Sequence, residues 1–157
     1  MIDLIINPNS VRVSKSEIST QIFGEIYFQI GDSFFPEEKW DDFAVIILGW
    51  WLKEACNIRS KRVVQFLFMD GPFYFEVHLV NKTCNIKFID DRYDKKRIVN
   101  SGKIERAHFF NLLKQNANLL INSLPDEANQ LEDVMVIKNN LKIMQNQMKR
   151  ILPPGNL

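Results

Sequence analysis

The chain reads as an α+β protein: an antiparallel β-sheet of about four to five strands, a buried helix inserted after an early strand, and a C-terminal pair of helices. Three observations predict it. Residues 22–30 and 62–89 alternate side chains with period two around turn-forming residues, residues 43–56 are apolar on nearly every side, and residues 103–152 carry stripes repeating every three to four positions. With 157 residues and no internal repeat or long linker, residues 1–157 form a single domain.

The first strand is Ile2 to Ile6, stopped by Asn7-Pro8-Asn9-Ser10. A stronger one follows at Ile22 to Ile30, with Ile22, Gly24, Ile26, Phe28 and Ile30 on one face and Phe23, Glu25, Tyr27 and Gln29 on the other. Gly31-Asp32 ends it. Ser33 to Asp42 reads as a loop, and Asp41 or Asp42 as the cap of a helix running from near Phe43 to about Cys56. Phe43, Ile46, Ile47, Trp50 and Trp51 lie at helical spacing there, with Ala44, Val45, Leu48 and Leu52 filling most other positions, so the helix should be buried on nearly all sides. Gly49 in its middle costs about 1 kcal/mol relative to alanine, which points to a close neighbour.

Arg62 to Ile89 reads as a three-stranded meander. Asp70-Gly71 suits a two-residue type I′ hairpin that sets Phe68 opposite Phe73, Phe66 opposite Phe75 and Val64 opposite Val77. A tight turn at Asn81-Lys82 then aligns Leu79 with Cys84, Val77 with Ile86 and Phe75 with Phe88. The other face, including Gln65-Glu76-Lys87 and Leu67-Tyr74-Ile89, is mixed. Asp90 to Gly102 is polar. A helix from about Lys103 to Ser123 follows, with Ile104, Ala107, Phe110, Leu113, Ala117, Leu120 and Leu124 as its apolar stripe, and Pro125 breaks it. The last helix, from about Asp126 to Leu152, carries Leu131, Val134, Ile137, Leu141, Met144, Met148 and Ile151, and Pro153-Pro154-Gly155 ends it.

Composition narrows the function classes. A 46% hydrophobic share with 25% charged residues describes an ordinary core with a solvated shell. No apolar run reaches the roughly 18 residues that cross a bilayer, and the N-terminus lacks signal-peptide features, so a cytoplasmic protein without a membrane partner is the expectation. Cys56 and Cys84, each among apolar neighbours, fit reduced buried thiols. Two histidines and no CxxC or HExxH spacing argue against a metal site. Scattered glycines and the lack of a GxSxG elbow argue against nucleotide cofactors and a serine hydrolase, so the expectation is a protein without cofactor or catalysis. His78 beside Glu76 could shuttle a proton, but the register makes them a solvated cross-strand pattern. The triplets Arg59/Lys61/Arg62 and Lys95/Lys96/Arg97 resemble solvated loops, and a net charge of +1 argues against nucleic acid as a partner.

That charge is unevenly distributed: residues 1–58 hold nine acids against four bases, a balance of −5, leaving +6 for the rest. The acids concentrate in Phe34-Phe35-Pro36-Glu37-Glu38-Lys39-Trp40-Asp41-Asp42-Phe43, where rings alternate with carboxylates. Rings supply desolvated contact area and acids a field that speeds capture of a basic partner. Asp32, Phe35, Glu37, Glu38, Trp40, Asp41 and Asp42 are therefore the predicted partner-binding residues. The competing expectation for this segment is that Phe35 and Trp40 tuck into the core while the acids favour a helix start.

Phe28-Gln29-Ile30-Gly31-Asp32, Phe35-Pro36-Glu37, Trp40-Asp41-Asp42-Phe43 and Ile47-Leu48-Gly49-Trp50-Trp51-Leu52 together resemble segments of bacterial immunity proteins, which are encoded beside polymorphic or contact-dependent toxins. The resemblance covers roughly residues 23–52. It implies a cytoplasmic, non-catalytic inhibitor that binds a cognate toxin domain and blocks its active site or an exosite. An acidic patch would suit a toxin with a basic substrate groove, although the near-neutral total charge leaves the toxin class open. Two other classes compete: an adaptor or secretion chaperone that takes a peptide on an open sheet edge, and a hydrolase using Asp32, Glu37, Asp41 and Asp42. Oligomeric state is not legible.

Overall fold

A computed structural model describes residues 1–151, Ile151 by backbone alone. The class is α+β, with two antiparallel sheets where the periodicity predicts one. The first sheet is organised around β3 (Thr20–Ile30). β1 (Ile2–Ile6) and β4 (Ser33–Phe35) pair with its C-terminal half from opposite edges, while β2 (Arg12–Lys15) and β5 (Asp41–Asp42) pair with its N-terminal half. The segment expected to be a plain loop thus carries two short strands, since each of its ends returns to an edge of β3.

The second sheet runs in the order β6 (Val64–Leu67), β7 (Phe73–Val80), β8 (Thr83–Asp90), β9 (Arg97–Glu105). The expected register holds throughout the meander, including Phe66 opposite Phe75 and Phe75 opposite Phe88. The first turn differs: only Gly71 of the Asp70-Gly71 pair has positive φ, so the connection is not type I′, and Pro72 has no amide to donate. β9 takes up residues 97–102 of the polar stretch 90–102 and runs on into the expected start of the helix.

Helix α1 (Ala44–Ala55) is enclosed by both sheets and by the last helix, as its apolar surface requires; only Trp50, 42% exposed, and Lys53 emerge. Helix α2 (Arg106–Asn122) starts later than expected because Ile104 belongs to β9. Buried Asn116 of α2 donates its side-chain amide to the carbonyl of Leu4, 3.1 Å away, tying that helix to β1. Helix α3 (Glu132–Ile151) follows a short 3-10 turn at Asp126–Gln130, and its buried residues Val134, Ile137, Leu141, Met144 and Met148 match the expected stripe. Ile151 as a packing residue and Pro153-Pro154-Gly155 as a stop lie outside the described side chains and residues. No helix among the described residues is long and apolar enough to cross a membrane.

The sheets meet through rings. Phe28 of β3 lies 4.8 Å from Phe75 and 5.2 Å from Phe88, centroid to centroid, with Trp51 of α1 at 5.9 Å. Each such pair contributes roughly 0.5–1.5 kcal/mol beyond the area it buries. The two sheets approach closely at Gly102, where a Cβ would sit 2.6 Å from Cδ1 of Ile2. Gly49 faces α3: a Cβ there would lie 3.8 Å from Val136 and 4.0 Å from the Ile137 backbone, and Asn140 donates to the Gly49 carbonyl at 3.0 Å. The close neighbour expected at Gly49 is therefore a helix, with room left for a methyl group.

Candidate functional site

Strand alternation turns Ile22, Gly24, Ile26 and Phe28 inward and Phe23, Glu25, Tyr27 and Gln29 outward. Cross-strand partners share a face, so β1 adds Asp3 and Ile5, β2 adds Arg12, β4 adds Phe34, and β5 adds Asp41 to this outer surface. The helices pack on the opposite, inward side. Two aromatic pairs form on the outer face: Phe23 with Phe43 at 4.6 Å, and Tyr27 with Phe34 edge-on at 5.9 Å. Phe23, Phe34 and Phe43 remain half-buried. Burial, then the negative charges of Glu25 and Glu38, raise the Tyr27 phenol pKa, which places both carboxylates in the field of that ring.

Arg12 is the cation of this face. Its guanidinium makes two bonds to Asp41, 2.8 and 2.7 Å, and lies 5.2 Å from the centroid of Phe23. The pair is open to water, so its net contribution is on the order of 1 kcal/mol or less. Glu25 instead accepts from the Asn7 amide at 3.1 Å. Asp3, Asp32, Glu37 and Glu38 are exposed and, among the described residues, have no ion-pair partner.

The structure divides the seven predicted partner-binding residues. Asp32, Glu37 and Glu38 project into water beside the outer face, and Asp41 is exposed but held by Arg12. Phe35 and Asp42 require correction: they are 2% and 1% exposed and cannot touch a partner in this conformation. Phe35 points inward opposite Phe28 and packs against Phe88 at 5.1 Å and Phe68 at 5.8 Å. Trp40 is half-buried, edge-on to Phe73 at 5.2 Å.

Asp42 has a structural position. Its carboxylate accepts from the Trp40 indole at 3.1 Å, the Phe43 amide at 2.7 Å and the Asp70 amide at 3.2 Å. It thereby ties the loop, the start of α1 and the β6–β7 turn together. It is not the expected helix cap, since Phe43 occupies that position without a side-chain bond. Desolvation raises its pKa against the opposing pull of these three donors.

Asp32, Glu37, Asp41 and Asp42 do not converge: Asp41 faces out, Asp42 faces in, and the described residues contain no cluster of three or more His, Cys, Asp or Glu able to hold a metal. His78 stands opposite Asn85 as expected, whereas Glu76 takes Lys96 at 2.6 Å as its ion-pair partner in addition to facing Lys87. Lys96 reaches back from the connection before β9, a contact that meander register alone cannot reveal.

The outward members of β3 were legible from alternation. Their partners Arg12, Phe34 and Phe43 were not, because they arrive from segments that read as irregular or helical. No family model, curated protein or solved structure matches the chain.

Proposed function

We propose that this chain is a non-catalytic inhibitor of the immunity-protein kind, which captures a cognate toxin domain on the outer face of its first sheet. The observation that carries the proposal is the make-up of that face: half-buried rings of Phe23, Phe34 and Phe43 interleaved with Glu25, Glu38 and Asp41, and bordered by Asp3, Asp32 and Glu37. Six carboxylates stand there against Arg12 and Lys39. Such a field speeds encounter with a basic partner, and rings already immobilised by packing lose little freedom on docking. The resemblance across residues 23–52 takes in most of β3 and the loop, which carry this surface, together with most of α1, which lies in the core.

The test is binding to the C-terminal domain of the protein encoded immediately upstream. Replacing Asp32, Glu37 and Glu38 by their amides should slow association in low salt, while Phe34→Ala should shorten the lifetime of the complex. A wild-type chain that neither binds that domain nor protects cells expressing it would overturn the proposal.

One observation favours the adaptor reading: β6 and β9 are the outer strands of the second sheet, and the row Leu67–Tyr74–Ile89–Ile98 ends in the half-exposed Leu67 and Ile98. A strict monomer in sedimentation, with no affinity for unfolded segments, would remove it.

A further inference from the structure

The acidic face has an opposite in the helical layer. Residues 106–125 contain no acid, and neither do residues 134–157. Helix α3 is flanked along its C-terminal half by two open grooves of about 370 Å³ each. The groove toward α2 is lined by Lys114, Lys142, Gln145, Asn146 and Lys149, above buried Met148. The groove toward the end of α1 is lined by Arg59, Ser60, Gln147 and Arg150, with Cys56 at its side. Among the described residues none of these five bases forms an ion pair. The one carboxylate in the adjoining turn, Glu54, accepts instead from Asn57 at 3.3 Å.

Lys149 and Arg150 complement the negative end of the α3 dipole, an effect confined to the last turn. It does not account for Lys114, Lys142 or Arg59, which two other elements and an earlier turn bring to the same place. Like charges gathered without counter-charges repel, and a bound polyanion relieves that repulsion. The side-chain amides of Gln145, Asn146 and Gln147 can donate alongside the cations, which suits phosphodiester oxygens that only accept. Between the grooves runs an exposed ridge carrying Asn139, Ile143 and Asn146. A helix about 10–12 Å across with bases on both flanks matches a B-form major groove of about 12 Å bordered by two phosphate strands.

We infer that the C-terminal half of α3 is a binding ridge for double-stranded DNA, inserted in the major groove with Lys114, Lys142 and Lys149 on one phosphate strand and Arg59 and Arg150 on the other. The linear sequence conceals this surface because its bases are spread over residues 59–150 and offset in the total charge by the acids of the first sheet. The five bases are assigned to phosphates, contacts that position the helix on the duplex and carry no sequence information directly.

The test is fluorescence anisotropy of a labelled mixed-sequence DNA duplex, titrated with the full chain over a series of salt concentrations. Five phosphate contacts give a log–log salt slope of about −4.5. The triple variant K114Q/K142Q/K149Q should bind about tenfold more weakly in low salt and lose about three from the magnitude of that slope. K87Q/K103Q, on the second sheet's outer face, should bind like wild type, and thermal melts followed by circular dichroism would show all variants folded. No anisotropy change with wild type in low salt would overturn the inference, as would a triple variant that keeps wild-type affinity and slope. Preferential binding to phosphatidylserine vesicles or to polyglutamate over the duplex would equally overturn it. The proposed toxin binding uses the opposite face, so either result leaves that reading to its own experiment.

Discussion

Replacing Asp42 by alanine should cost about 3 kcal/mol of stability at neutral pH. The carboxylate is 1% exposed and receives three donors, from Trp40, Phe43 and Asp70. A hydrogen bond to a charged group contributes about 1.5–3 kcal/mol, and each buried donor left unpaired costs about 1–3 kcal/mol. Against this stands the cost of burying the ionised carboxyl, which exceeds the pull of the donors, since the pKa lies above its ordinary value. The net loss is therefore well below the sum of three charged bonds. The raised pKa also fixes a sign. Between the unfolded value near 3.8 and the folded value, the native chain holds the proton more often than the unfolded one, so its stability falls as pH rises through the folded pKa. The contribution is complete below 3.8, and the gap between wild type and Asp42→Ala should widen as pH is lowered from neutrality toward that value. Urea unfolding at several pH values, followed by circular dichroism and tryptophan fluorescence, measures it. A loss under about 1 kcal/mol, or a gap that narrows on acidification, would refute the reasoning.

Two glycines should respond oppositely to alanine in the same assay. Gly102→Ala drives a methyl into Ile2 and should cost about 1–3 kcal/mol, largely restored by Ile2→Val, which removes the clashing Cδ1. Gly49→Ala meets only ordinary contacts and should stabilise α1 by up to about 1 kcal/mol. Burial pushes the Cys84 thiol up to about 11, so a thiol reagent near pH 8 should leave Cys84 unmodified until the protein unfolds, while half-buried Cys56 reacts more slowly than a free thiol. Prompt modification of two thiols in the native protein would contradict the burial of Cys84 between Leu79 and Ile104.

The parts legible in advance were those where a local pattern has one way to be buried. Apolar alternation set the register of β6, β7 and β8 even though the Asp70-Gly71 connection departs from type I′, and the all-round apolar composition of residues 43–56 could be satisfied only by burial. Signals failed where pairing depends on distant partners. β9 is an outer strand with mostly exposed side chains, so its residues lack the alternation that burial of one face imposes. β2 and β5 exist because β3 is long enough to hold two segments along each edge. The ring–acid segment supports two readings, display and core, and both apply: Phe35 and Asp42 point inward, whereas Asp32, Glu37, Glu38 and Asp41 stay wet. Asp42 could not be recognised as a tie because the Asp70 amide that meets it lies 28 positions away.

Each sheet is drawn from one unbroken stretch of chain, residues 2–42 for the first and 64–105 for the second. Every ladder can therefore close over short loops, at a modest entropic cost, before the two halves meet. They join through the rings around Phe28 and through α1 and α2, each of which packs on both sheets, and α3 then returns to lie along α1. During synthesis the central helix thus waits with one apolar flank uncovered until residues 132–151 emerge, which makes α3 the element that closes this core.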